Sequence, residues 1–320
     1  MKSRRTFVKQ LALGAAYVPM AGLAACTMKS RETPPPVEIP PLKLSLAQWS
    51  IHRALEEGKL LAGDFPKIVR ESGFEAAEYV NGFYRDHAED EGYWSHLKEI
   101  ANDQGVQNLL IMVDEEGDLG NPDTPARKEA VENHYRWVRA AQFLGCHSIR
   151  VNAFGEGSKS DVQKAMVDSM SKLCEYAQQF NINILIENHG LYSSDGVWVA
   201  EIMKQVNLPN CGTLPDFGNW CLSAKWGTTQ IDCAEVYDRY QGVSELLPFA
   251  KGVSAKSYEF DAQGDETRID YKRMLQLVKD SGFQGYIGVE FEGMNLPEPE
   301  GIKSTKALLE RQWRSIHEAN

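Results

Sequence analysis

The chain has 320 residues, with 34 lysines and arginines against 45 aspartates and glutamates, for a formal charge of −11. So large an acidic excess repels phosphate backbones and argues against nucleic acid as a partner. Six cysteines are present without any CxxC spacing. The five beyond Cys26 are odd in number and read as mostly buried thiols rather than a disulfide framework.

At the N-terminus, Ser3-Arg4-Arg5-Thr6-Phe7-Val8-Lys9 leads into an apolar stretch that reaches Ala25, and Leu23-Ala24-Ala25-Cys26 forms a cleavage-type site. The pattern resembles a twin-arginine export signal joined to a bacterial lipoprotein box. An uncleaved anchor is the alternative, and the apolar core is short for one. The resemblance implies a signal peptide over residues 1–25 and an exported, periplasmic or cell-envelope protein, lipid-anchored at Cys26 and touching the membrane only there. Removal of Lys2, Arg4, Arg5 and Lys9, with no acids in that segment, takes the formal charge from −11 to −15. Residues 26–41 are rich in proline, including Pro34-Pro35-Pro36 and Pro40-Pro41. They bury too little apolar surface to fold and read as a semi-extended tether. The folded domain therefore spans residues 42–320.

Eight short apolar strands then alternate with amphipathic helices. The strands are expected at Leu42 to Ala47, Phe74 to Tyr79, Val106 to Val113, Ser148 to Asn152, Asn183 to Glu187, Cys211 to Pro215, Lys251 to Lys256 and Tyr286 to Phe291. Such alternation predicts a single-domain α/β fold, a (β/α)8 TIM barrel. Between strands, Thr124-Pro125 opens a helix to Leu144 with proline at its first position. Apolar residues from Val162 to Phe180 recur in steps of four and three, with Ser160 and Gln163 as a capping box. Asp270 caps Tyr271 to Asp280. Gly73, Gly105, Gly145 and Gly282 each follow a helix and precede a strand, as left-handed stops do.

Chemistry gathers at strand C-terminal ends, where parallel α/β folds place ligands. Ile182 to Gly190 is a buried strand ending in Glu187, Asn188 and His189. Glu187 reads as an acid–base or metal-binding carboxylate, or as a cap or lysine partner. Asp216 ends the sixth strand, and Glu290 lies on the eighth with Gly288 and Glu292 on its face. Carboxylates so close need a divalent cation, a lysine or protonation to offset them. Lys256 shares the inward face of strand seven with Ser254; it reads as an oxyanion stabiliser or a proton donor of lowered pKa, or as an ion-pair partner of Glu290 or Glu187. His189 reads as a proton shuttle or a satisfied loop histidine. Glu78, Asn81 and Asn152 suit sugar hydroxyls or turns. Trp49, Trp220 and Trp226 suit stacking on a sugar face or core packing. Arg268 reads as a substrate contact or a surface arginine. The runs Asp114-Glu115-Glu116 and Glu89-Asp90-Glu91 lack calcium-loop spacing and read as solvated surface.

The order of strands and the positions of Glu187, Asp216 and Glu290 resemble the xylose-isomerase-like barrel superfamily, across essentially all of Leu42 to Asn320. That superfamily includes sugar isomerases, keto-sugar epimerases, inosose dehydratases and abasic-site endonucleases. The resemblance implies a divalent metal (Mn, Mg, Co or Zn) held by Glu187, Asp216, Glu290 and Asn219. It also implies Glu187 and Glu290 as acid and base across the substrate. Two positions depart from the pattern. Asn219 stands where relatives carry a histidine three residues after the strand-six aspartate. Ser254-Ala255-Lys256-Ser257 replaces His-x-Lys-Asp, keeping the lysine and losing a metal-binding imidazole. A metal-free site balanced by Lys256 is the alternative. The substrate implied is a small sugar or keto-glycoside. Three functions compete: isomerisation or epimerisation through proton abstraction beside a carbonyl, elimination on a 3-keto-glycoside, and binding of carbohydrate without catalysis.

Overall fold

The computed structural model describes residues 39–318. The signal over residues 1–25, Cys26 and residues 27–38 of the tether lie outside the described residues. Elements run in the order β1 (Leu44–Ala47), α1 (His52–Glu56), α2 (Phe65–Glu71), β2 (Ala76–Val80), α3 (Glu91–Asp103), β3 (Gln107–Met112), α4 (Thr124–Leu144), β4 (Ser148–Asn152) and α5 (Lys159–Gln178). They continue with β5 (Asn183–Glu187), α6 (Gly196–Val206), β6 (Cys211–Leu214), α7 (Arg239–Leu246), β7 (Val253–Ser257), α8 (Tyr271–Asp280), β8 (Ile287–Phe291) and α9 (Glu298–Glu318).

The strands form one parallel sheet ordered β6-β5-β4-β3-β2-β1-β8-β7. Its ends meet: Asp216 bridges Ser254 in parallel register, and Ser254 N donates to Pro215 O at 3.0 Å. The sheet thus curls into the expected (β/α)8 barrel. Nearly every strand residue is buried, because helices cover one face and the lumen is filled on the other. Period-two alternation sorts the apolar side chains into two clusters. Leu46, Tyr79, Ile111, Ile149, Ile184, Ile186, Val253 and Val289 pack outward against helices. Ala47, Ala76, Val80, Leu110, Met112, Leu185 and Leu214 form a smaller cluster inside the ring. Each fully buried Leu or Ile contributes about 2 kcal/mol, so these layers hold the barrel around whatever polar groups sit above them.

Local signals behave as their chemistry requires. Asp123 caps α4, its side chain accepting from Ala126 N, with Pro125 in the first turn. Asp270 caps α8 in the same way through Arg273 N. Gly73, Gly105, Gly145 and Gly282 all have positive φ. One cap differs from expectation. α5 starts at Lys159 with Ser158 as its cap, accepting from Asp161 N, while Gln163 turns away to donate to Trp198 O. Ser158 wins because its backbone is still extended (ψ 148°), as a capping residue needs. The cysteine expectation also needs correction. Cys146 and Cys174 are buried thiols and Cys211 is half-buried, but Cys221 and Cys233 form a disulfide, because the loop after β6 folds back to pair Cys221 with Val236. Among the described residues, no helix is long and apolar enough to cross a membrane.

Candidate functional site

Inward positions change from apolar to charged towards the C-terminal end of the barrel. On β4 alternation turns Ser148, Arg150 and Asn152 inward; on β7 it turns Ser254 and Lys256, and on β8 Gly288 and Glu290. Glu187 is the last residue of β5, and Asp216 lies two residues past β6. Glu187, Asp216 and Glu290 are buried, and each brings an oxygen within 4.8 Å of the others.

The backbone around Asp216 is fixed by Asn188, which accepts from Asp216 N at 2.7 Å and donates to Asp216 O and Asn219 O. Asp216 Oδ1 accepts from the backbone N–H groups of Gly218 and Asn219, both at 2.8 Å. Its Oδ2 lies 2.6 Å from Ser254 Oγ, which is also 2.8 Å from Glu290 Oε2. One hydroxyl has one hydrogen, so a protonated Asp216 completes both contacts by donating to Ser254, which donates to Glu290. Burial pushes the Asp216 carboxyl up to about 7, against the attraction of Lys256.

Two cations balance the acids only in part. Lys256 Nζ donates to Glu290 Oε1 at 2.8 Å and lies 3.2 Å from Glu292 Oε1. Burial alone would discharge this ammonium, but Glu290, Glu292 and Asp216 hold its pKa well above the usual lysine range. The expectation of a lowered lysine pKa is therefore overturned. For Glu290, burial is outweighed by Lys256 and Ser254, and its carboxyl stays below the usual range. Arg150 donates to Asp114 Oδ1 at 2.6 Å. Its Nε stands 2.7 Å from Glu187 Oε2, off the hydrogen-bond direction, so neither atom completes a hydrogen bond. Burial drives the Glu187 carboxyl well above its ordinary value despite Arg150.

Glu78 lies inside the ring, away from the rim. It accepts from Ser45 Oγ at 2.6 Å, and Gly288 makes room for it: a Cβ there would meet a Glu78 oxygen at 2.7 Å. Asn152 reaches Asp114 Oδ1 at 2.6 Å and pairs through its Oδ1 with His189 Nδ1 at 2.7 Å. It therefore orients the histidine. Burial and the nearby Arg150 hold His189 well below the usual imidazole range, so it is neutral at pH 7. Trp226 stands at the mouth beside His189, ring centres 5.1 Å apart. Trp49 donates to Glu292 Oε1 at 2.6 Å, whereas Trp220 is core.

Three expectations fail here. Glu78, expected as a sugar contact, is buried at 1% exposure and takes its hydrogen bond from Ser45. Arg268 is exposed and donates to Thr229 O at 3.2 Å, in the loop after β6 rather than among the carboxylates. The run Asp114-Glu115-Glu116 is not simple solvated surface. Asp114 pairs with Arg150, and Glu116 is buried, with Trp137 Nε1 donating at 2.7 Å and Arg136 paired to it. Only Glu115 of the three is exposed. Sequence reasoning missed Arg150, gave Asp114 as solvated surface, and placed Glu292 on the face of Glu290 without a role at the site. Arg150 left a signal: in Ser148-Ile-Arg-Val-Asn152 three polar residues alternate with two apolar ones, which puts the arginine inside.

Six carboxyl groups, of Glu78, Asp114, Glu187, Asp216, Glu290 and Glu292, thus face two cations, Arg150 and Lys256. Asn219 donates to Glu187 Oε1 at 3.2 Å, and its own Oδ1 is buried without a donor. Three carboxylates and an orphaned amide oxygen make an all-oxygen donor set, which fits a hard divalent cation such as Mg or Mn better than zinc.

The family described as xylose isomerase-like TIM barrel matches residues 66–312 of the chain. A Mus musculus protein provisionally named hydroxypyruvate isomerase is 24% identical over 215 residues, covering 61% of this chain and 73% of that one. Among solved structures, a 3-keto-D-glucoside 4-epimerase from E. coli superposes with a TM-score of 0.64 at 13% identity, covering 85% of this chain and 100% of that one. The IOLI protein, crystallised with a zinc atom, gives 0.62 at 15% identity, covering 86% and 99%.

Proposed function

The chain belongs to the xylose isomerase-like TIM barrel family, and from that premise we propose that it is a sugar isomerase- or epimerase-like enzyme that takes a proton from the carbon beside a carbonyl. The observation that carries the reading is the convergence of buried Glu187, Asp216 and Glu290 inside the C-terminal mouth, in a site with more acid than base. A protein that only binds carbohydrate has no need to desolvate so many carboxyl groups.

In this reading Glu290 is the base. Lys256 Nζ and Ser254 Oγ both donate to it, which favours its ionised form and fixes its direction. Glu187, across the lumen on β5, returns a proton from the other side. Asp216 and Asn219 would complete a cation site with these two glutamates; a bound divalent cation would supply polarisation of the substrate carbonyl. Lys256 keeps Glu290 from repelling the negative charge that develops as the proton leaves. His189 and Trp226 provide substrate contacts at the mouth, Asn152 orients His189, and Arg150 keeps the β4–β5 wall from carrying uncompensated charge. Elimination on a 3-keto-glycoside shares the first step. The two readings part only at the fate of the C1 substituent.

Proton NMR in deuterated water, with a panel of keto sugars and 3-keto-glycosides plus Mn or Mg, tests the reading. Deuterium beside the carbonyl with C1 intact is expected for the isomerase, and release of the C1 group with a vinylic signal for the lyase. No exchange on any substrate would leave the binding protein.

We further propose export and lipid anchoring at Cys26. The Cys221–Cys233 disulfide supports this, since such cross-links persist in oxidising compartments. Labelled fatty acid should enter the wild-type chain and not Cys26→Ser; equal labelling of both would sink the proposal.

A further inference from the structure

Trp226 is the one aromatic among the large apolar side chains that the described residues leave exposed, at 37%. Its φ is +71°, in the left-handed region that bulky residues avoid. Several features hold it there. The Cys221–Cys233 disulfide closes the loop that carries it, and Cys221 N donates to Gly227 O at 3.0 Å. Lys225 bridges Gly190 in the β5 loop, and Leu191 N donates to Ala224 O at 3.2 Å. The two loops touch so closely that a Cβ on Gly190 would stand 2.4 Å from Ala224 O and 2.6 Å from Gly227 N. An indole held in an unfavourable backbone conformation by a cross-link and a close glycine contact, with more than a third of its surface left open, is not explained by packing alone; such outliers collect at ligand sites.

The indole belongs to a wall. Its ring stands edge-on to Phe154, centres 5.4 Å apart at 89°, and to His189 at 69°. Lys225 Nζ lies 4.8 Å from the centre of Phe154 and 5.4 Å from that of Trp226. Phe154, His189 and Trp226 come from the loops after β4, β5 and β6, so they line one continuous side of the mouth. His189 is two residues beyond Glu187, up to about 7 Å further out along the strand direction. A sugar ring over the carboxylates leaves the substituent on its β4–β6 side against this wall, and the proposal takes that substituent to be the one on C1.

We propose that the Phe154–His189–Trp226 wall is a subsite for a flat ring attached at C1, so that the substrate is a glycoside rather than a free monosaccharide. The inference rests on the sugar reading of the carboxylate site. The shared chemistry is a ring with an apolar face, which an aromatic aglycone or a second sugar both supply.

Calorimetry on the chain carrying Glu290→Gln, chosen to slow turnover, measures affinity for the methyl, phenyl and glucosyl 3-keto-β-D-glucosides. The phenyl or glucosyl compound is expected to bind about tenfold more tightly than the methyl one. Trp226→Asn, which keeps a residue tolerant of positive φ, should bring that ratio within twofold. The better of the two ring compounds identifies the kind of ring. Equal affinity for all three, a preference that survives Trp226→Asn, or no binding of any of them overturns the inference. Failure of the enzyme reading shows separately, as an absence of deuterium exchange by the wild-type chain whatever the affinities.

Discussion

Glu78 sits inside the barrel with one oxygen on Ser45 and the other buried without a donor. Burial raises its carboxyl to about 7, while an unfolded chain releases the proton near 4.5. The folded state therefore holds a proton that the unfolded state has lost, and the stability this group contributes is complete below pH 4.5 and falls as pH rises towards 7. The span corresponds to roughly 3 kcal/mol. Glu78→Gln, neutral at every pH, should flatten that decline and exceed the parent in denaturant midpoint at pH 8. An unchanged slope between pH 5 and 8 would mean that Glu78 is ionised and paired in the folded state. Arg150 is the complementary case: its charge is retained because Asp114 and Glu187 surround it, at the cost of burying an arginine inside the ring.

At the scale of elements, the strand ends and the loop after β6 divide the work. Strands were legible from period-two runs bounded by glycine and polar residues, and β4 and β5 fall where Ser148–Asn152 and Asn183–Glu187 place them. Glu187, Asp216, Lys256 and Glu290 were legible because a charged residue closing a buried strand has only the ligand edge to occupy. The disulfide was not. Cys221 and Cys233 are 12 residues apart, and nothing in their spacing announces that the loop doubles back. Arg268 misled because a loop after β7 faces the mouth in topology, while its side chain reaches sideways to the neighbouring loop. Removal of the cross-link in a Cys221→Ser/Cys233→Ser chain should cost roughly 3 kcal/mol of stability by loop entropy, and should raise hydrogen exchange in residues 216–238 above that of the strands. Uniform exchange with no loss of stability would show the loop to be held by its other contacts alone.

For the whole molecule, charge and depth are arranged along the barrel axis. Apolar side chains fill one part of the lumen, and the C-terminal mouth concentrates carboxyl groups in low dielectric, where they repel one another unless protons, Lys256 or a cation intervene. Such an acidic mouth suits a divalent cation and, on the proposed function, a neutral, hydroxyl-rich substrate. Loss of histidine at Asn219 and Ser254 shifts the donor set towards oxygen rather than abolishing it, since Asn219 Oδ1 remains unpaired beside Glu187.

On the proposed mechanism Glu290 removes a proton beside a substrate carbonyl. Wild type and Glu290→Gln should then differ in deuterium uptake at that carbon, followed by NMR at saturating substrate with affinity measured in parallel. Exchange should fall by at least about a hundredfold while affinity stays within a few-fold. Exchange that persists at the wild-type rate would contradict the assignment and move the base to Glu187.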